Sequence, residues 1–237
     1  MPIRPPKHME YYEEDVLAET IKEIIEIDKD VELRKNSLAL TSDFNVHDFY
    51  AIFDTNNKGH INFREFREIY DMFRLYPQEE YLRLTFRQLD KDLDQKITLK
   101  EFMHGFLPKD KNYRDVIMRR DSYNDGTNFS RLQSFTPNTQ QQFINFLKAC
   151  VDAEANHEKV RKNLMLRRNF NYNDSFKALD QKSKNYVVLD DIRNFMTERY
   201  YHVSDVEIQY FIDRFDKTNC GQIGKNEFIK ELRPKCL

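Results

Sequence analysis

Displaced by 126 residues, the chain overlays itself without a gap. Phe44-Asn45 falls on Phe170-Asn171, Asp54 on Asp180, and Asp90-Lys91 on Asp216-Lys217. Glu101-Phe102 falls on Glu227-Phe228, and Pro108-Lys109 on Pro234-Lys235. Upstream, Leu38 and Leu40 fall on Leu164 and Leu166. Ile21, Ile24 and Ile25 fall on Leu147, Cys150 and Val151, where apolar character persists although identity does not. One register held over roughly 90 residues is a duplication. Each copy reads as a long leading helix, two similar units and a proline stop.

A second period lies inside each copy: Asp54 to Asp90 and Asp180 to Asp216 are both 36 residues apart. Each Asp ends an apolar stripe with helical spacing. The stripes are Val46, Phe49, Tyr50, Phe53; Leu82, Phe86, Leu89; Tyr172, Phe176, Leu179; and Ile208, Phe211, Ile212, Phe215. Eighth from each Asp stands an aliphatic residue: Ile61, Ile97, Val187 or Ile223. Each is placed to pair with its neighbour through a short two-stranded bridge. Twelfth comes an acid, Glu65, Glu101, Asp191 or Glu227, and then another apolar helix. With five glycines and seven prolines in 237 residues, long helices are expected and an all-β fold is not. The expected fold class is all-α: two paired lobes, each preceded by a long helix, with short loop bridges.

The four twelve-residue loops and their flanking helices resemble the EF-hand family. That resemblance implies calcium (Ca2+) as the ligand. Calcium is a hard cation that takes six to eight oxygens, which such a loop offers from positions 1, 3, 5, 7, 9 and 12. Position 7 gives a backbone carbonyl, position 12 both oxygens of a carboxylate, and position 6 a sharp turn that favours glycine.

The second loop fits best, with Asp90, Asp92, Asp94, Lys96 (through its carbonyl), Thr98 and Glu101. Its flaw is Gln95 at the turn position, where left-handed backbone costs about 1–2 kcal/mol and is expected to weaken the site. The first loop offers Asp54, Asn56, His60, Asn62 and Glu65. Its Lys58 stands where an oxygen belongs, and an ammonium only donates. The fourth offers Asp216, Thr218, Cys220, Gln222 and Glu227, and a thiol is a poor ligand for a hard cation. These two loops are expected to be weaker. The third, with Lys182 and Lys184 at ligand places, is expected to hold no metal and to serve its partner loop.

Net charge is −2, which gives no field for nucleic acid, and no stretch is long and apolar enough for a membrane span. Three cysteines, an odd and sparse count, read as reduced thiols. The opening residues lack the apolar run of a signal peptide, so a cytoplasmic location is expected. The six histidines form no zinc spacing, and no phosphate-binding loop or nucleophile elbow is found, so no enzyme is expected.

The domain reading is a tail over 1–12, a module over 13–109, a linker over 110–136 and a module over 137–237. The second leading helix should start with Thr136 as N-cap and Pro137 at its first position, and run to about Arg168. Its first half is apolar on one face, while Asp152 to Asn163 is mostly polar. Whether each helix folds back on its own lobe or projects to a partner is open from sequence. Turn signals sit at Tyr123 to Asn128. The expected function is a calcium-responsive adaptor binding helical or cytoskeletal protein partners. The alternative is a constitutive scaffold with largely metal-free hands. The doubled module and damaged loops resemble, in style, EF-hand proteins of the ciliary and centriolar cytoskeleton, which implies a cytoskeletal, axonemal or ciliary place.

Overall fold

The computed structural model describes residues 11–121 and 135–236. The turn signals at Tyr123 to Asn128 lie outside the described residues. Eleven helices and two small sheets are present among those described. Helix α1 (Tyr11–Ala39) leads into α2 (Val46–Phe53), β1 (His60–Asn62), α3 (Phe63–Met72), α4 (Glu79–Leu89), β2 (Lys96–Thr98), α5 (Leu99–Phe106) and α6 (Lys111–Met118). The second copy runs α7 (Pro137–Met165), α8 (Tyr172–Leu179), β3 (Tyr186–Val187), α9 (Leu189–Glu198), α10 (Asp205–Phe215), β4 (Ile223–Gly224) and α11 (Lys225–Leu232). The all-α class agrees with expectation. So do the bridges: β1 and β2 pair antiparallel with Ile61 opposite Ile97, and β3 and β4 with Val187 opposite Ile223.

Local chemistry explains the boundaries. Asn45 and its repeat Asn171 each cap a helix, their side chains accepting backbone N–H groups two and three residues on. Helices α3 and α9 each end on a left-handed residue, Arg74 (φ 57°) and Tyr200 (φ 62°), again 126 apart. The following N–H then bonds back to Tyr70 and Met196, a Schellman-type stop. Thr136 caps α7, its hydroxyl accepting the Thr139 N–H.

The chain forms two compact units. One holds Asp30–Ala155, here the first lobe; the other, the second lobe, holds the chain up to Lys29 and from Asn156 onward. The cut points are equivalent, since 29 plus 126 is 155. This division differs from the two contiguous modules read from sequence. In the first lobe, Phe143, Phe146, Leu147 and Val151 of α7 enter the core of the first two hands. Phe143 lies 4.0 Å from Phe49 and 5.3 Å from Phe44 between ring centroids, and the Tyr70 hydroxyl donates to the Leu147 carbonyl at 3.2 Å. In the second lobe, Val16, Leu17, Ile21, Ile24 and Ile25 of α1 enter the core with Phe176, Phe195, Phe211, Phe215 and Phe228.

So the apolar half of each leading helix serves the other copy's hands, and its later half stays with its own. Reach explains part of this. Leu17 precedes Ala39 by 22 residues, roughly 33 Å of helix, beyond the radius of a small lobe.

The polar half of each leading helix buries one charged face: Glu32, Lys35, Glu158 and Arg161 are buried, while Asp30, Arg34, Asn156 and Lys159 are exposed. Glu32 pairs with Lys35 at 2.6 Å and accepts the Lys109 N–H at 3.0 Å. One repeat later, Glu158 pairs with Arg161 at 3.3 Å and accepts the Lys235 and Cys236 N–H groups at 2.9 and 2.8 Å. Each leading helix thus ties down the chain just beyond the proline stop of its own copy. The start of the supposed linker is also ordered. Helix α6 buries Ile117, and the Arg120 guanidinium donates to the Ala39 and Phe44 carbonyls.

Candidate metal centres

In every loop the first acid holds the turn. Asp54 accepts the N–H groups of Lys58 (2.9 Å) and Gly59 (2.7 Å), and Asp90 those of Asp94 (3.2 Å) and Gln95 (2.9 Å). Asp180 and Asp216 do the same for Lys184 and Asn185, and for Cys220 and Gly221. Positions 4 and 6 are left-handed in all four: Asn57 and Gly59, Leu93 and Gln95, Ser183 and Asn185, Asn219 and Gly221.

The last acid is the third residue of the exit helix and accepts the N–H of position 9. Glu65 takes Asn62, Glu101 takes Thr98, Asp191 takes Val188 and Glu227 takes Gly224. The acids at positions 1 and 12 are therefore structural whether or not a metal binds. What separates the loops is the chemistry at positions 3 and 5.

In the second loop those positions are Asp92 and Asp94. Oxygens of Asp90, Asp92 and Asp94 lie within 4.8 Å of one another, the one such acidic group among the described residues. Burial raises the Asp90 carboxyl above its usual range. The Gln95 and Leu93 N–H groups oppose that rise, and the charges of Glu101 and Asp94 add to it. Glu101 accepts the Lys91 N–H at 2.9 Å and the Thr98 hydroxyl at 2.7 Å. Burial acts to raise it too, but the bonds from Thr98, Lys91 and Asp92 hold it below the usual range. The converging oxygens of Asp90, Asp92 and Asp94 are a donor set that a divalent cation fits. Lys96, expected from sequence to offer the seventh-position carbonyl, lies in β2 opposite Asn62.

The first loop is arranged differently. The Lys58 ammonium lies 2.9 Å from one oxygen of Glu65 and 3.0 Å from the other, and the Asn56 amide donates to the same carboxylate at 2.9 Å. His60 and Asn62 lie in β1, with Asn62 also the cap of α3. In the third loop the Lys184 ammonium meets Asp191 at 2.6 Å. The fourth loop brings only two carboxylates, Asp216 and Glu227. The Thr218 hydroxyl donates to Asp216 at 3.1 Å, and the Cys220 thiol to the Gln222 carbonyl at 3.5 Å. Sequence reading placed Lys58 where an oxygen belongs and missed its pairing with Glu65. Its recurrence 126 residues on, as Lys184, was the signal available.

Four helix pairs, each closed by a twelve-residue oxygen-lined loop and coupled two by two through a short bridge, define a class of helix–loop–helix cation-binding proteins. Residues 43–107 and 172–233 match the model of the EF-hand domain pair, more than half of the chain, and the chain belongs to that family. It is 25% identical over 191 residues to the calcium-binding protein LPS1-alpha of Lytechinus pictus, covering 77% of this chain and 54% of that one. It is 19% identical over 161 residues to caltractin of Naegleria gruberi, covering 66% and 80%. The chain thus spans about half the length of the first of these relatives. No helix among the described residues is long and apolar enough to cross a membrane.

Proposed function

We propose that this chain binds calcium chiefly at its second hand and passes that event to protein partners through its long helices. The supporting observation is the convergence of Asp90, Asp92 and Asp94 oxygens in a loop already folded around position 6. The fourth hand, with two carboxylates, fills only at higher calcium. The name of one relative, a calcium-binding protein, agrees with the cation.

Calcium entry reorients the helices of a sensor hand. Here the groove of the first two hands is filled by Phe143 to Val151 of α7. Reorientation loosens that segment, and either the freed groove or the freed helix face meets a helical partner.

Cys150 reports this step. It lies partly buried beside that core, and burial pushes its thiol up to about 12. With Cys220 and Cys236 changed to Ser, calcium should raise the alkylation rate of Cys150 by on the order of tenfold, because reactivity follows exposure and thiolate fraction. Glu101→Gln should erase the calcium effect. Equal rates with and without calcium would favour a second reading, a constitutive cytoskeletal scaffold. Specific observations favour that alternative: both lobes are already plugged by α1 and α7, and three loops lack ligand charge.

A further inference from the structure

We infer that the first and third hands carry a resident cation of their own: the ammonium of Lys58 in one and of Lys184 in the other. This deepens the calcium reading, on which it rests, by confining the calcium response to the even-numbered hands. Both lysines stand at position 5, one repeat apart, each in the first hand of its pair.

The geometry is that of an ion site. In a filled hand the position-12 carboxylate gives both oxygens to the cation. The Lys58 ammonium takes both oxygens of Glu65, at 2.9 and 3.0 Å, while Asn56, the position-3 residue, closes on the same group. Glu65 is buried, with a side chain 4% exposed, so an unpaired charge there is costly. Lys184 reaches one oxygen of the partly buried Asp191 at 2.6 Å, its ammonium also 4.8 Å from the Tyr186 ring centroid.

The even hands show the contrast. Neither has a lysine at position 3 or 5, and there the position-12 acid accepts the N–H of position 2: Lys91 to Glu101 at 2.9 Å and Lys217 to Glu227 at 3.0 Å. Each lobe therefore joins one hand closed by an internal monovalent cation to one hand left for an external divalent ion. The internal cation keeps the odd loop, and the bridge it shares with its partner, folded at all calcium levels.

Two variants of the full chain test this by calcium calorimetry and thermal melting. Lys58→Asp removes the resident charge and supplies the missing oxygen, so the chain should take up one more equivalent of calcium. The gain should appear in the wild-type background and again in Glu101→Gln. Reading it as a difference within each background separates failure of this inference from failure of the second-hand assignment. Lys58→Met removes the charge without adding a ligand. It should lower the melting temperature by several degrees in calcium-free buffer by stranding Glu65. No added equivalent in Lys58→Asp, or an unchanged melting temperature in Lys58→Met, would overturn the inference.

Discussion

Gln95 holds φ at 68° where the first and fourth loops place Gly59 at 79° and Gly221 at 78°. The expectation from sequence was that this glutamine would weaken the metal site. In the structure Gln95 takes the left-handed turn, fastened by its N–H to Asp90 at 2.9 Å. Gln95→Gly removes about 1–2 kcal/mol of strain and adds about 0.5–1 kcal/mol of unfolded-state entropy. The net expectation is a gain of about 0.5–1 kcal/mol in the first lobe's stability. Melting curves check this. At this scale the sequence displays which residues can ligate. It cannot display that positions 1 and 12 are held by backbone N–H groups in every loop, because that follows from the turn and not from the ligand pattern.

Helices, bridges and caps were legible because their chemistry is local. Thr136 at the head of α7 and the facing pairs Ile61–Ile97 and Val187–Ile223 come straight from spacing. The polar stretch from Asp152 to Asn163 was not, because a charged residue reads as solvated until its partners are known. Those partners are distant in sequence. Asp28 receives two bonds from Arg214, both 2.8 Å, and faces His157 at 3.0 Å. Glu231 meets Arg161 and Lys235, each at 2.6 Å, and Lys217 at 3.5 Å.

Burial alone would raise both carboxyls. For Asp28 the charges of Arg214 and His157 prevail, and for Glu231 those of Lys217, Lys235, Arg161 and Arg214, so both are held well below the usual range. The unfolded chain therefore binds protons first as pH falls. The stabilisation is complete above the unfolded carboxylate range, about pH 4, and is lost progressively below it. Thermal melts from pH 6 to pH 3 should show the second lobe weakening below about pH 4. Asp28→Asn should flatten that slope while lowering stability at neutral pH. A slope unchanged by Asp28→Asn would remove Asp28 from this role.

The duplication dictates two equivalent hand pairs, and it was plain in the sequence. Which leading helix serves which pair was not. The two lobes offer cores of the same character, so an apolar stripe such as Leu17, Ile21, Ile24 and Ile25 suits either. The choice depends on helix length and on the ties at Glu32 and Glu158, both hidden in polar stretches. The result is a chain whose two compact units are cut at equivalent points of α1 and α7, each unit holding hands from one copy and an apolar helix segment from the other. Under the proposed function, calcium acting on one pair of hands would thereby act on the other copy's helix. Everything in that account depends on the ion entering between Asp90 and Glu101. Calorimetric titration of the full chain and of Glu101→Gln tests this most directly. The account predicts one dominant site of about 10 µM or tighter, weakened at least on the order of a hundredfold by Glu101→Gln. Equal affinity and stoichiometry in the two proteins would contradict it.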